Sequence, residues 1–167
     1  WKDKLVFVRV DFNVPINAGQ ITDNARITAT LDTLRELLSR GARVVLGSHL
    51  GRPHHGVKVL KEREHLSDVE ARQRIAAELG LVPVVEELKR LLGEAVSIQF
   101  APDSITEPGS ETERLVLATP SGGITFLENL RFHDEEVSKD PNVRQAHAAK
   151  LYRLADVIVN DSAGTWH

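Results

Sequence analysis

Residues 4–15 read KLVFVRVDFNVP, and this stretch decides the fold. Its first seven residues are apolar except for Lys4 and Arg9. A short, valine-rich run of this kind is typical of a strand buried inside a parallel sheet. Polar Asp11 and Asn13 follow at once, so the strand is predicted to end in a polar loop.

Short apolar runs alternate with longer helical patterns along the rest of the chain. Further strands are predicted at residues 43–47, 96–100, 124–127 and 157–159. Helices are predicted at residues 24–40, 67–80, 84–92, 111–118 and 140–154. This alternation favours βαβ units and predicts an α/β fold, a doubly wound (Rossmann-like) three-layer αβα domain with a mainly parallel sheet. Residues 54–65 are polar and charged and are predicted to be a solvated excursion.

Several helix ends carry their own sequence signals. Thr22 or Asp23 is predicted to cap the first helix. Ser67 opens the second through a capping box with Glu70. Pro83 stands where a first helical turn tolerates proline.

Composition excludes several classes of function. The 167 residues, 41% of them hydrophobic and 27% charged, fit one globular domain with a net charge of −3. That charge indicates neither nucleic acid nor anionic lipid as a partner. Without cysteine there is no disulfide, cysteine zinc site or thiol nucleophile. No apolar run has the length of a membrane span and no signal-peptide pattern occurs, so a cytoplasmic protein is expected.

Polar loops follow four of the predicted strands. In an open parallel sheet, ligands bind in the crevice beyond the carboxyl ends of the strands. Residues 11–15, 48–53, 128–133 and 160–162 occupy those positions. One polar loop is weak evidence, but four in succession predict a ligand site at this edge of the sheet.

Arg26 lies in the first turn of the first predicted helix, where the helix dipole disfavours a cation. A residue that breaks a local rule is a candidate for function, and this turn opens onto the crevice beside Asp11 and Asn13. The alternative is that Arg26 forms a surface ion pair with Asp23 or Asp32. When Arg26 is considered by itself, this alternative is favoured.

The predicted crevice is positively charged in an otherwise slightly acidic protein. Its cations are Arg26, His49, Arg52 and Arg131. Planar guanidinium groups suit phosphate and carboxylate. Asp11 and Asn13 lie two residues apart and project to one side if the strand continues, with Arg9 next on that face. A carboxylate and an amide beside cations suit a hydroxyl group, so the residues alone predict a small, hydroxylated, multiply anionic ligand.

Some familiar site motifs are missing. Neither GxxxxGK[ST] nor a GxGxxG after the first strand occurs, which argues against a P-loop and against a dinucleotide-binding domain, the least supported hypothesis. His54 and His55 are adjacent, but without further ligands they are typical of a solvated loop, and no metal site is expected. His65, His133 and His147 have no evident partner and are predicted to be structural or surface residues.

Taken together, five stretches resemble the phosphoglycerate kinases. They are residues 8–15 (VRVDFNVP), 21–27 (ITDNARI), 48–53 (SHLGRP), 127–132 (LENLRF) and 155–161 (ADVIVND). They occur in the order of that family and cover nearly the whole chain. One such match can arise by chance, but five in order should not.

The resemblance implies that residues 1–167 are the N-terminal, substrate-binding domain of a two-domain glycolytic enzyme. Its reaction transfers a phosphoryl group between 1,3-bisphosphoglycerate and ADP, giving 3-phosphoglycerate and ATP. Mg-ATP or Mg-ADP would be bound by a C-terminal domain absent from this segment, in which no cofactor is expected. The resemblance further implies a monomer whose partner is the small-molecule substrate. Since the domains must close on each other, the segment alone is expected to be inactive.

The resemblance also assigns residues by motif position. The substrate-binding residues would be Asp11, Phe12, Asn13, Arg26, His49, Leu50, Gly51, Arg52 and Arg131. Asp11 and Asn13 would bind the triose near its hydroxyl. His49, Arg52 and Arg131 would hold the phosphate that is not transferred, with His49 also placed towards the carboxyl end. Arg26 would be the catalytic residue, facing the transferring group and stabilising its charge.

The chain departs from the family in three respects. Where the family reads like NDAFGTAHR, Ala163 replaces the usual Phe, Trp166 replaces a small residue, and the following Arg would lie beyond His167. Residues 57–81 form a longer connection than usual, with no function assigned. The hinge and the nucleotide domain are missing. The altered tail supports the alternative of a non-catalytic binding module for small phosphorylated acids, and sequence beyond His167 would discriminate between the two.

Overall fold

The computed structural model describes residues 1–162, in which helices and strands alternate. The strands are β1 (Leu5–Val10), β2 (Ile16–Asn17), β3 (Gln20–Ile21), β4 (Arg43–Gly47), β5 (Ile98–Ala101), β6 (Ile124–Leu127) and β7 (Val157–Asp161). The helices are α1 (Ala25–Thr28), α2 (Leu31–Ser39), α3 (Pro53–Arg63), α4 (Asp68–Leu79), α5 (Val82–Leu92), α6 (Glu111–Leu117) and α7 (Pro141–Leu151). Two 3₁₀ turns, Leu130–Phe132 and Asp134–Val137, follow β6. The departures at Ala163 and Trp166 lie outside the described residues.

Five strands form one parallel sheet in the order β5-β6-β4-β1-β7. β1 lies between β4 and β7, where Val8 pairs with Leu46 on one side and Val159 on the other. Because all five strands run in one direction, the loops that follow them meet at one edge of the sheet. β2 and β3 form a separate antiparallel hairpin that the sequence did not predict.

Both faces of the sheet are buried. Val6, Val8 and Val10 face a core shared with α1, α2 and α5, whereas Leu5 and Phe7 face a second core shared with α6 and α7. Successive strand residues point to opposite faces, which is why β1 is apolar at consecutive positions. Full burial of each such side chain stabilises the fold by roughly 1.5–3 kcal/mol. The predicted three-layer αβα domain is confirmed.

The helix predicted at residues 24–40 is two helices. Thr30 is buried at the break, and both its N–H and its hydroxyl donate to the Ile27 carbonyl, at 3.2 and 2.9 Å. A contact to a residue three positions back tightens the turn and separates α1 from α2. The N-cap residue of α1 is Asn24, without a side-chain capping bond, although Asp23 accepts from the Ala25 N–H at 2.8 Å.

The solvated excursion predicted at residues 54–65 was wrong, because most of this segment is helix α3. Pro53 opens the helix, and Val57 and Leu60 pack on Ile75 of α4 in a small core of their own. On α3 only the narrow stripe that contains Val57 and Leu60 is apolar. Most residues of the helix are polar or charged, so the segment resembled a solvated loop in sequence. The sequence signal of the helix was therefore weak even though its packing is specific.

Other helix and strand boundaries differ from the predicted ones by a few residues. The Ser67–Glu70 capping box and Pro83 in the first turn of α5 are confirmed. Strand β7 continues to Asp161, and α7 ends at Leu151 rather than near 154. None of the helices within residues 1–162 combines the length and the apolar character needed to cross a membrane.

Candidate functional site

The loop after β1 is tied to the loop after β4. The Phe12 N–H donates to Ser48 Oγ at 3.0 Å, and Asn13 Oδ1 accepts from the Gly51 N–H at 2.9 Å. Asp11 Oδ1 accepts from the Asn13 N–H at 3.1 Å, which forms an Asx turn as β1 ends. These bonds hold Asp11 and Asn13 beside the residues that follow β4.

Asn129 joins three segments of the site. It is 1% exposed, and its Nδ2 donates to the carbonyls of Leu50 at 2.9 Å and Leu79 at 3.0 Å. Its Oδ1 accepts from the Leu50 N–H at 3.3 Å and the Arg131 N–H at 3.0 Å. One buried amide thus fixes the loops after β4 and β6 and the end of α4.

Position 51 requires glycine, because of its backbone conformation and because of the side chain packed against it. Its φ of +63° lies in the left-handed region, and a Cβ there would lie 2.9 Å from Leu79 Cδ2. The Gly51 carbonyl also accepts from Arg131 Nη1 at 3.2 Å. The turn therefore places its own backbone against one of the predicted cations.

Arg26 pairs with Asp11, at 2.8 Å between Nη1 and Oδ2, and not with Asp23 or Asp32. The surface-pair alternative is therefore wrong, and the guanidinium lies beside the turn that follows β1. The Arg26 side chain is still 54% exposed. An exposed pair contributes at most about 1 kcal/mol, so the guanidinium can leave Asp11 for an anion at little cost.

His49 is buried at the base of the cation cluster. Burial, and next the positive charge of Arg131, lower the pKa of His49 to about 4, while Asp11 acts in the opposite direction. The imidazole is therefore neutral at pH 7. A bound anion would favour its protonated form.

Arg131 and Arg52 complete the cluster. Burial lowers the pKa of Arg131, Glu136 and Asp11 oppose that effect, and the charges of Arg9 and Arg52 reinforce it. Arg52 and Arg131 line a cavity of about 270 Å³ together with Pro53, His54, His55 and Val137. Mutual repulsion among these cations is relieved by an anion, which is the ligand class that this cavity suits.

A second cavity borders the cluster but has a different character. Its volume is about 580 Å³, and its lining includes Asn13, Gly51 and the carboxylates of Glu78 and Glu128, with no Lys, Arg or His among the described lining residues. An anion is poorly suited to that surface. We therefore place the anion at the smaller, cationic cavity, which Arg52 and Arg131 line, whereas Asn13 and Gly51 border the larger space.

The family model for phosphoglycerate kinase matches residues 1–167. The chain belongs to the phosphoglycerate kinase family. The cytosolic phosphoglycerate kinase of Triticum aestivum is 41% identical over 167 residues, and the phosphoglycerate kinase of Moorella thermoacetica is 45% identical over 165 residues. Each comparison covers 99% of this chain and 35% of the relative, so the chain spans about a third of their length. The crystal structure of phosphoglycerate kinase from Pyrococcus horikoshii OT3 is similar at 30% identity with a TM-score of 0.71, covering 96% of this chain and 34% of that one.

Within this phosphoglycerate kinase chain, the predicted site residues fall into two groups. The side chains of Phe12 and Leu50 are buried in the main hydrophobic core, so only their backbone atoms are placed to meet a ligand. The polar and charged side chains lie at the carboxyl edge of the sheet, together with the Gly51 turn. They are Asp11, Asn13, Arg26, His49, Arg52 and Arg131.

His133 and His147, for which the sequence shows no evident partner, both lie beside carboxylates in the structure. His133 Nε2 lies 2.6 Å from Asp103 Oδ1, whereas the buried His147 Nε2 lies 3.4 Å from Glu136 Oε2 and makes no hydrogen bond within residues 1–162. Glu136 also pairs with Arg9, whose Nη1 lies 3.5 Å from the Tyr152 hydroxyl. Since these partners are distant in sequence, local patterns did not reveal them.

Sequence reasoning also missed residues that organise the site of this phosphoglycerate kinase chain. Ser48 and Asn129 were noted as members of polar loops and of family motifs without a role of their own, and Glu136 was not noted. Glu128 accepts from the N–H groups of Leu81 at 3.0 Å and Asn129 at 2.7 Å and so supports the start of α5. Burial raises the pKa of Glu128. For Ser48, Glu128 and Asn129 the available signals were a position directly after a strand and membership of the stretches that carry the family resemblance.

No group of three or more His, Asp or Glu side chains within residues 1–162 is arranged to hold a metal ion. His54 and His55 lie in the first turn of α3.

The lowered pKa of His49 predicts that the chain loses stability as the pH falls. The unfolded chain takes up a proton near the ordinary pKa of 6.5, whereas the folded chain does so near 4, so the free energy of unfolding falls between those values. We expect about 2 kcal/mol of loss from this group between pH 7 and pH 5. Urea denaturation should show a smaller loss in His49→Gln, with exposed His65→Gln as the control. Equal losses in both variants would contradict the assignment.

Proposed function

We propose that this chain is the N-terminal, phosphoglycerate-binding domain of a phosphoglycerate kinase. The enzyme would transfer a phosphoryl group between 1,3-bisphosphoglycerate and ADP, giving 3-phosphoglycerate and ATP. The observation that carries the proposal is the convergence of Arg26, His49 and Arg131 on the Asp11–Asn13 turn at the carboxyl edge of the sheet. 3-Phosphoglycerate is small, hydroxylated and multiply anionic, as this arrangement requires.

The phosphate that is not transferred fits the cationic cavity. Arg52 and Arg131 line it, and the guanidinium geometry suits bidentate contacts to phosphate oxygens. His49 lies close enough for the charge of Arg131 to lower its pKa. We assign these three side chains to the phosphate and carboxylate groups of the substrate.

The hydroxyl of the triose fits the turn after β1. Asn13 uses its carbonyl oxygen for the Gly51 N–H, and within residues 1–162 its NH₂ group donates no hydrogen bond. Asp11 Oδ2 accepts from Arg26 at 2.8 Å. Asn13 can therefore donate to a substrate oxygen, and Asp11 can accept from the hydroxyl once Arg26 turns to the transferring group.

Arg26 is assigned to the transferring phosphoryl group. Phosphoryl transfer depends mainly on positioning and on stabilising charge, and an exposed guanidinium at the mouth of the crevice can supply both. The described residues contain no glycine-rich phosphate loop and no cluster of metal ligands. We therefore assign the magnesium nucleotide to the portion of the enzyme outside this chain, which must close over Arg26 before transfer.

Binding of 3-phosphoglycerate tests the proposal. We expect the 167-residue chain to bind it weakly and with an affinity that falls as salt rises, since the contacts are ionic. Arg131→Ala should weaken binding about 10- to 100-fold, which corresponds to the loss of a charged hydrogen bond. Titration calorimetry at low and moderate salt measures both effects.

A matched variant separates a site from general charge attraction. Arg40 lies at the end of α2, just before the amino end of β4 and so at the opposite edge of the sheet, and it pairs with Glu36. Arg40→Ala removes the same charge and should leave binding unchanged. Absence of a saturable signal, or equal losses in the two variants, would refute the proposed site. Binding without turnover in the complete protein would support the non-catalytic binding module instead.

A further inference from the structure

The hairpin formed by α3 and α4 packs as a unit against the loop that carries Arg131. Val57, Ala71 and Ile75 form its small core, and Phe132 from the loop after β6 packs against that core. Residues 57–81 had no function assigned from the sequence. Their structure connects them directly to the segment that follows β6.

Asp134 is the polar link between the hairpin and this loop. Its Oδ2 accepts from Arg72 Nη2 of α4 at 2.9 Å, and its Oδ1 lies 3.4 Å from His54 Nδ1 of α3. Burial alone would raise the pKa of Asp134, but the bonds from Arg72 and His54 outweigh burial and lower it. Asp134 thus accepts a hydrogen bond from α4 and lies beside the first turn of α3, so it connects the loop to the hairpin.

The same two structural units form the cationic cavity. Arg52, His54 and His55 come from the start of α3, whereas Arg131 and Val137 come from the loop after β6. The separation of Arg52 from Arg131 thus depends on how the hairpin sits against the loop. Asp134 fixes that relation, three residues beyond Arg131.

We propose that Asp134 is a positioning residue for the substrate phosphate, holding the α3–α4 hairpin against the loop after β6 so that Arg52 and Arg131 face one anion. The inference rests on the proposed function. It assigns a role to the α3–α4 hairpin, which becomes one wall of the phosphate site.

The sign of the effect distinguishes positioning from simple electrostatics. If Asp134 acted only through its charge, removing that charge would make the cavity more positive and would tighten anion binding. If Asp134 acts by holding the two arginines in register, removing it loosens their geometry and weakens binding. The two accounts predict opposite changes in the KM for 3-phosphoglycerate.

Asp68 provides a matched control. It also accepts from Arg72, at 2.8 Å from Nε, and it pairs with Lys61 at 3.0 Å. Both of those bonds lie within the hairpin and do not reach the loop. Asp68→Asn thus removes the same charge and a bond to the same arginine without releasing the loop.

The experiment is steady-state kinetics on the complete enzyme with 3-phosphoglycerate as the varied substrate. Asp134→Asn should raise its KM about 3- to 10-fold with kcat changed less than about twofold, whereas Asp68→Asn should change neither. Asp134→Glu should recover part of the loss. Arg72→Gln, which breaks the same link from α4, should behave like Asp134→Asn and carries the test if that variant folds poorly in a thermal melt.

The outcomes separate this inference from the function on which it rests. A KM that falls or stays constant in Asp134→Asn, while Arg131→Ala raises it, overturns the positioning role alone. Equal effects of Asp134→Asn and Asp68→Asn also overturn it. An unchanged KM in Arg131→Ala overturns the proposed phosphate site, and the inference with it.

Discussion

Replacing Arg26 by alanine is expected to lower the kcat of the complete enzyme about 100- to 1,000-fold, with the KM for 3-phosphoglycerate changed less than about threefold. The expectation follows from where the guanidinium lies. Arg26 is on the short helix α1, more than half exposed, and within residues 1–162 its side chain is held by Asp11 alone. In the proposed site it lies at the mouth of the crevice, where it would face the transferring phosphoryl group.

A cation in this position acts on the transition state more than on the ground state. Negative charge spreads over the transferring phosphoryl group as its bonds change, and a guanidinium positioned there stabilises that charge. Interactions that are stronger in the transition state raise kcat, whereas uniform binding lowers KM. The predicted split between kcat and KM tests this role directly.

Two further variants sharpen the Arg26 test. Arg26→Lys keeps the charge but loses the planar fork, so its kcat should lie between those of the wild type and the alanine variant. Arg35→Ala removes an exposed arginine of α2 whose Nη2 donates to the Leu91 carbonyl at 3.3 Å, and it should leave kcat unchanged. An unchanged kcat in Arg26→Ala would remove Arg26 from the transfer step.

The main elements of the fold could be predicted because their signals are local. Consecutive apolar residues in β1 indicate burial on both faces, and Val6 and Phe7 do point into separate cores. The capping box at Ser67 needs only the residue three positions later. The position of the crevice follows from parallel strands alone, and Asp11 and Asn13 lie in it as expected.

The prediction failed where packing is decided by distant partners. Helix α3 presents few apolar side chains, and the Val57 side chain is buried in a cluster with Ala71 and Ile75 of α4. The break at Thr30 depends on a hydroxyl that bonds back to Ile27 at 2.9 Å, which is one of several conformations open to a threonine. Neither outcome is fixed by periodicity.

The candidate site also contains residues that local sequence reveals and residues whose role depends on distant partners. Arginine at strand ends is unusual enough to be noticed in a sequence, and the four predicted cations lie along one edge of the sheet. The residues that hold this arrangement are ordinary polar types, and the bonds of Asn129 to Leu50 and Leu79 span 79 and 50 positions of the chain. The charged groups at the strand ends were thus predictable, whereas the groups that position them were not.

Replacing Asn129 by leucine is expected to lower the free energy of unfolding by about 3–5 kcal/mol. Leucine has nearly the same volume but offers no polar atom. Four backbone groups in the buried or part-buried interior, at Leu50, Leu79 and Arg131, would lose their partner. For a domain of this size the loss corresponds to a fall in Tm of roughly 10 °C.

The control for Asn129→Leu is Asn142→Leu on the exposed first turn of α7, where a change of about 0.5 kcal/mol or less is expected. Urea denaturation of the chain measures both variants. A loss below about 1 kcal/mol for Asn129→Leu would contradict its bridging role.

Asn129→Asp separates the hydrogen bonds of Asn129 from its volume and shape. The aspartate keeps Oδ1 for the N–H groups of Leu50 and Arg131, but it turns the donor of Asn129 into a second acceptor. That oxygen would face the carbonyls of Leu50 and Leu79, which now lie 2.9 and 3.0 Å from Nδ2. A buried carboxylate against two carbonyls is less stable than an apolar side chain, so the loss should exceed that of Asn129→Leu at neutral pH. Protonating the aspartate restores one donor, and the difference between the two variants should therefore narrow as the pH falls.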